Sequence, residues 1–432
     1  MTPHSQALNL LSFIDQSPSP WHVVNSVEAL LTPYQFVKLD ETSDWRIEPG
    51  GRYYVVRDDS SVIVIVAGSK PLIDTGFKLV GAHTDSPGLR VKPNAVNNKD
   101  GLQRVNVEVY GSPILATFTD RDLSLAGRIC FLNEPNQIAS RLIRFDEPLI
   151  RLANLAIHMN RNVNEDGLKL HKQNELPLIL SAITEQLPDR YFLDLLARQS
   201  GLAVESILSW DLAVYDTQKG AIWGAQQEFI SNSQLDNLAS CHAALQALLA
   251  EDSLNSGNTL VCALFDHEEI GSTSKHGADG SFLPDVLHRL DLTQQYDRHE
   301  YARILALSFL ISADMAHAYH PNFPAAYDPE HRIAVNGGPV IKTNANQRYS
   351  SEGLSEALFI NWCRQAEVPY QHYSHRCDLP CGSTIGPIVS AKLGIRSVDV
   401  GCPMWAMHSI RESAGVADHS DMIKVLEQFF RS

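Results

Sequence analysis

The sequence predicts an α/β fold: a mostly parallel central sheet flanked by helices, with a β-rich domain inserted into the chain. Three observations carry this. After Gln234, apolar runs of strand length alternate with helical segments, the pattern of a largely parallel sheet covered on both faces. From about Pro87 to Gln226 the texture changes to short strand-like pieces separated by turn residues. Before Pro87 a hairpin and a buried strand already belong to the first type of pattern. The α/β domain is therefore expected in two pieces, 1–86 and 227–432, with the β-rich insertion over 87–226.

Element by element, residues 5–15 and 21–32 have helical periodicity and are divided by the punctuation SPSPW. Residues 53–57 and 62–67 are rich in β-branched side chains and read as a hairpin feeding a sheet. FKLVGAHTDS is a short buried strand ending at His83. In the insertion, VNVEVYG, ILATFT, LSLAGRICFL and AIWGAQQEFI are strand candidates, interrupted by a helix over 191–201. Beyond Gln234, LASCHAALQALLAE is a helix, NTLVCALFDHEE a strand, YARILALSFLISAD a helix then a strand, SEALFINWCRQAEV a helix, IRSVDVGC a strand and MIKVLEQFFRS a closing helix.

Composition limits what the chain does. With 432 residues, 44% of them apolar, it can fill a large core in two or three domains of about 150 residues. Its 35 Lys and Arg against 50 Asp and Glu leave a formal charge of -15, which argues against nucleic acid or an anionic membrane as a partner. The N-terminus has no basic segment before an apolar core, and no run of about 18 apolar residues follows. Seven scattered cysteines read as buried or free thiols in a reducing compartment; Cys377 and Cys381, in CDLPC, have the form of a metal or redox pair, but two thiols in a chain of this size are more often structural.

In open α/β sheets, ligands bind beyond the carboxyl ends of the strands. Candidate metal ligands stand at those ends: His83 and Asp85 after KLVGA, Glu268 and Glu269 after LVCALF, Asp314 after FLISA, and His408 a loop beyond VDVGC. Asp236 joins them where a helix begins. Taken singly, each has an ordinary explanation: Asp236 as a helix N-cap, Asp85 and Asp314 as turn residues, His408 as a packed or surface histidine. Acids at successive strand ends of one sheet are harder to explain that way. Imidazole and carboxylate ligands without cysteine suit zinc in a hydrolytic site, or cobalt or manganese in the same geometry. Two ions about 3.5–4 Å apart would need a bridging carboxylate. On extended backbone the adjacent Glu268 and Glu269 point in opposite directions, so one can bind metal while the other reaches water. In His83-Thr84-Asp85 the carboxylate is expected to accept the second imidazole N–H.

The motifs GAHTDSPGLRVKP, SQLDNLAS, FDHEEIGS, SADMAHAYHPN, GPVIKTNANQRYS, DLPCGSTIGP and MHSIRE resemble, in order, those of the aspartyl aminopeptidase and aminopeptidase I family of dinuclear zinc metallopeptidases. The resemblance spans nearly the whole chain. It implies two zinc ions per subunit, replaceable by cobalt or manganese, with His83 and Asp314 on one ion, Glu269 and His408 on the other, and Asp236 bridging. Glu268 matches the general base and Asp85 the acid behind His83. His158, in LAIHMNR, matches a residue of the inserted dimerisation domain that reaches a neighbouring subunit's active site. His317, Lys342 and Tyr349 match substrate-contacting positions. On sequence alone Lys342 reads equally as a surface lysine, and His317 as a residue behind the ligands.

The implied activity is removal of N-terminal residues, including acidic ones, from peptides with a free N-terminus. The implied assembly is a homo-oligomer, a tetrahedral dodecamer built from dimers. LLSFIDQSP near the start leaves no room for a vacuolar-type propeptide, so a cytoplasmic location without processing is expected. Two other readings remain. A related two-metal carboxypeptidase or deacylase would need a site for a substrate α-carboxylate, and no arginine cluster accompanies the ligand motifs. An inactive scaffold or cargo protein of the same fold would lack ligands, and every candidate ligand is present.

Overall fold

A computed structural model of the chain describes residues 2–134, 136–183, 190–294 and 296–432. Among these the strands form three sheets. The largest has nine strands in the order Val37–Lys38, Arg52–Arg57, Ser61–Val66, Thr259–Phe265, Phe77–His83, Phe309–Ala313, Arg396–Gly401, Val340–Thr343 and Gln371–Ser374. Its four middle strands, Thr259–Phe265 through Arg396–Gly401, run parallel, and antiparallel pairings flank them.

The middle strands are short apolar runs because both of their faces are covered. Residues of Ser61–Val66 and Thr259–Phe265 alternate between two cores, as a side-chain period of two requires. Val62, Val64, Leu260, Cys262 and Leu264 pack in one core, among residues of the helices Pro3–Gln16, Pro20–Leu31, Leu235–Leu248 and Val416–Arg431. Ile63, Ile65, Val261, Ala263 and Phe265 pack in the other, with Phe282–Thr293. Each apolar side chain so buried contributes about 1.5–3 kcal/mol. Phe265, 1% exposed, fixes the point from which the FDHEE loop departs.

The register brings the strand ends level. Phe265 pairs with His83, and Ser312 with Gly81, so Asp314 leaves its strand opposite His83. One edge of the sheet thus collects the residues that follow three parallel strands.

The second sheet is wholly antiparallel, in the order Gln137–Arg144, Leu123–Glu134, Ile207–Asp216, Gly88–Lys99, Leu102–Tyr110, Leu178–Ala182. The helix Tyr191–Ser200 packs Phe192 and Leu196 into its core with Leu125, Ile129 and Leu212. Two pieces read as its strands are not. ILATFT is a single 3-10 turn over Leu115–Phe118, closed by the Thr117 hydroxyl donating to the Ile114 carbonyl at 2.8 Å. Ala221–Trp223 pairs with Phe229–Asn232 in the third sheet, which continues through Glu412–Gly415, Pro403–Trp405 and Ala316–His317. Its partners lie beyond residue 226, so this strand stays with the α/β portion.

The two portions meet at Arg90, whose guanidinium lies 5.1 Å from the Trp21 ring and 4.6 Å from that of Tyr110, both within cation–π range. At this joint His22 is buried, with Nδ1 2.7 Å from Ser19 Oγ. Burial first, then the charge of Arg144, holds its imidazole down to about 4 against an ordinary 6.5. The unfolded chain therefore binds a proton that the folded chain refuses. Stability present above pH 6.5 is lost as the pH falls towards 4. His22→Asn is expected to flatten this part of the stability curve, read from urea unfolding at about pH 7 and about pH 4.5; an unchanged slope would show that His22 is not the group responsible.

Candidate metal centre

His83, the last residue of its strand, is buried. Its Nε2 lies 3.4 Å from Asp236 Oδ1 and 3.5 Å from Asp314 Oδ1. His408 Nε2 lies 3.5 Å from Asp236 Oδ2 and 3.4 Å from Glu269 Oε2. Asp236 thus turns one oxygen to each imidazole. Two donor sets share Asp236, His83 with Asp236 and Asp314, and Asp236 with Glu269 and His408; His83 with Glu268 and Glu269 forms a third, overlapping group.

The separations are longer than the usual N–H···O bond of about 2.9–3.0 Å. They match the roughly 3.4 Å between neighbouring ligands of a tetrahedral zinc with bonds near 2.0–2.1 Å. Asp236 Oδ1 is buried and accepts no hydrogen bond, an expensive state for a carboxylate oxygen unless a cation meets it. Both histidines present the right tautomer: His83 Nδ1 donates to the Asp85 carbonyl and His408 Nδ1 to the Ser112 carbonyl, each at 3.0 Å. This leaves the Nε2 lone pairs for metal. The residues present fit a zinc centre.

Electrostatics agrees. Burial works against charge on His408, but Asp236 and Glu269 outweigh it and push the imidazole up to about 11. Burial, then the neighbouring Asp236 charge, pushes Glu269 up to about 7. Glu268 is raised well above the carboxylate range by burial first and by Asp314 and Glu269 after it. Each shift marks a place where bare carboxylates repel and positive charge is wanted.

Two expectations need correcting. Glu268 and Glu269 do not sit on extended chain: Glu268–Ile270 is a 3-10 turn between His267 and Gly271, both left-handed with φ of 65° and 96°. Adjacent side chains on such a turn diverge by about a third of a circle. Glu269 accordingly faces His408, while Glu268 stands 3.9 Å from His83 Nε2. The imidazole N–H of His83 goes to the backbone carbonyl of Asp85, at 3.0 Å, while the carboxylate stands 3.4 Å from the same Nδ1. Its oxygens accept instead from the backbone N–H groups of Glu268 and Glu269, each at 3.1 Å, and from the Tyr110 hydroxyl at 2.7 Å. Asp236 follows the metal-facing expectation over the ordinary one: its carboxylate faces the two imidazoles and does not cap the helix.

A cavity of about 340 Å³ opens on this cluster, lined by the six residues together with His317, Lys342 and Tyr349. Lys342 is no surface lysine, being 2% exposed, and donates to the carbonyls of Asp314 and Met315 at 2.9 and 3.2 Å. Gly401 lets the Asp314 carbonyl come close, since a Cβ there would strike that oxygen. Burial, then the Lys342 charge, holds His317 down to about 4. His158 does not line the cavity; it lies exposed in the turn at 156–159 of the inserted portion.

Glu412 went unassigned in the sequence. Buried, it accepts the Asp236 N–H at 3.0 Å with one oxygen and the His408 N–H at 2.7 Å with the other. Its place four residues after His408 in MHSIRE was the available signal, but a backbone contact leaves no spacing rule.

The model of the aminopeptidase I zinc metalloprotease family, M18, matches residues 13–430. The chain belongs to the M18 aminopeptidase family. It is a metal-dependent aminopeptidase, a hydrolase of the zinc metallopeptidase class. The probable M18 family aminopeptidase 2 of Pseudomonas paraeruginosa (strain DSM 24068 / PA7) is 46% identical over 427 residues, 98% of this chain and 97% of that protein. Among solved structures, Ape4 in its complex with Nbr1 superposes with a TM-score of 0.96 at 37% identity, covering 99% of this chain and 86% of that one. The mApe1 dodecamer of S. cerevisiae gives 0.87 at 26% identity, covering 98% and 96%. The likeness to M18 enzymes extends through the inserted sheet as well as the central one.

Glu412→Gln replaces one accepting oxygen with a donor that must face an N–H. The variant is expected to fold and to bind zinc about 10–100-fold more weakly, measured by competition with a chromophoric chelator; unchanged affinity would remove Glu412 from this supporting role.

Proposed function

We propose that the centre holds two zinc ions, replaceable by cobalt or manganese, and removes single residues from the free N-terminus of peptides. The observation that carries the reading is the placement of Asp236, whose two oxygens face His83 and His408 separately. His83 and Asp314 complete one site; Glu269 and His408 complete the other. Bound zinc supplies the Lewis acidity that makes water a nucleophile near neutral pH and polarises a carbonyl.

The chain's own residues do the rest. Glu268 takes a proton from the attacking water and delivers it to the leaving amine. Asp85 fixes the turn that aims Glu268 and Glu269, through their backbone N–H groups. The carboxylates of the centre attract the free α-amine of the substrate. Lys342, the one lysine or arginine lining the cavity among the described residues, favours an acidic N-terminal side chain, with neutral His317 and Tyr349 beside it.

His158 acts in a neighbouring subunit of a tetrahedral dodecamer built from dimers through the inserted domain. Leu155, Ile157 and Met159 around it are 66%, 48% and 77% exposed, an apolar surface that a neighbour would cover. The similar S. cerevisiae mApe1 is itself a dodecamer, which supports this assembly. A cytoplasmic location is supported by seven free cysteines, and no helix among the described residues is long and apolar enough to cross a membrane.

Glu268→Gln is expected to keep both zinc ions while kcat falls about 10²–10⁴-fold. The assay is release of N-terminal Asp, Glu and Leu from a peptide panel, with and without chelator. A fully active variant, or activity indifferent to chelation, would sink the reading; equal rates for all three residues would remove the acidic preference. In sedimentation, the double variant Leu155→Asp, Met159→Asp is expected to run smaller than the parent and to lose activity with it. A parent that sediments as a fully active monomer would refute the role of the assembly.

A further inference from the structure

Asp266 and His267, in the same FDHEE motif, take no part in the centre described above. In the folded chain they meet His276, ten residues on, at the start of the loop and at its return. Asp266 Oδ2 lies 3.6 Å from His267 Nε2 and 3.6 Å from His276 Nε2. The two imidazole rings are 4.4 Å apart between centroids. One ligand atom from each of the three residues lies within 4.8 Å of the others.

Two features distinguish this from a hydrogen-bonded cluster. At 3.6 Å neither imidazole is hydrogen-bonded to Asp266, yet both turn Nε2 towards the same carboxylate oxygen. The Nδ1 atoms are engaged elsewhere: His276 Nδ1 lies 2.8 Å from Asp58 Oδ2, and His267 Nδ1 lies 3.0 Å from Ser274 Oγ. An imidazole that donates Nδ1–H to a carboxylate carries its lone pair at Nε2, the arrangement found behind metal-ligating histidines. The Ser274 hydroxyl can accept from His267 Nδ1–H in the same way; with that tautomer two lone pairs and a carboxylate oxygen converge, where a cation relieves their repulsion. The frame is rigid: Asp266 N–H donates to Ser61 Oγ and Ser61 Oγ to the His276 carbonyl, each at 2.8 Å.

We propose that Asp266, His267 and His276 form a further zinc site, separate from the catalytic pair, with solvent completing the tetrahedron beside the partly exposed His267. Two nitrogens and one carboxylate oxygen are a zinc donor set, and each nitrogen's distance from Asp266 Oδ2 is about 0.2 Å above the roughly 3.4 Å of tetrahedral ligands. The ion clips the two ends of the 266–276 loop together and so holds the turn that carries Glu268 and Glu269. Asp58, from the hairpin of the central sheet, supports it from behind.

The test is zinc content of the full-length protein equilibrated with zinc and freed of excess, by native mass spectrometry, beside an anomalous difference map at the zinc edge. The wild type is expected to hold three ions per chain, with density between Asp266, His267 and His276. His276→Gln is expected to hold two. Asp236→Asn loses zinc from the catalytic centre and keeps the density at Asp266; if Asp236→Asn instead matched the wild type, the failure would lie with the catalytic assignment. Two ions in the wild type, no anomalous peak at this position, or a His276→Gln count equal to the wild type would each overturn the proposal. The map of the wild type decides even if His276→Gln fails to fold.

Discussion

Burying carboxylates beside one another is the constraint from which the rest of this structure follows. Asp85, Asp236 and Glu412 are buried within reach of the partly buried Glu268, Glu269 and Asp314. Left to themselves, such groups raise one another's proton affinity or drive the site open. The observed arrangement tolerates them because positive partners are interleaved: His83 between Asp236 and Asp314, His408 between Asp236 and Glu269, Lys342 over Asp314. Divalent ions take that compensation further. The parallel strands serve this arrangement by delivering their ends to one edge, and the two apolar cores keep those ends from moving.

A division of labour among the acids follows from what their oxygens touch. Asp85 and Glu412 each accept two backbone N–H groups and present nothing to the cavity. Asp85 grips the turn of Glu268 and Glu269; Glu412 ties the backbone of Asp236 to that of His408. A ligand held by its backbone loses less orientational freedom when metal arrives than one held by its side chain alone. Asp85 and Glu412 thus each tie together two of the residues that face the cavity.

What the sequence made legible is what apolar patterning encodes. The runs KLVGA, LVCALF and FLISA announced strands whose ends proved level, and the acids and histidines after them converge. Contacts through the main chain stayed illegible, because a carboxylate accepting from N–H groups leaves no requirement on its partners' side chains; hence Glu412 was missed and Asp85 was given the wrong partner. The turn at Glu268 was missed for a related reason: it depends on His267 taking a left-handed conformation, which few side chains advertise. Ala221–Trp223 looked like its neighbours in the insertion because strand propensity does not say which sheet a strand will join.

The inserted sheet touches the centre at both ends through one short stretch. Tyr110, the last residue of a strand in that sheet, reaches Asp85; the Ser112 carbonyl accepts from the His408 imidazole Nδ1–H, and Ile114 N–H donates to the His408 carbonyl at 2.9 Å. Residues 110–114 therefore act as a jig that sets the spacing between the Glu268 turn and His408. The two portions of this chain are therefore joined at the centre itself, and Ile410 of the α/β portion packs into the core of the inserted sheet.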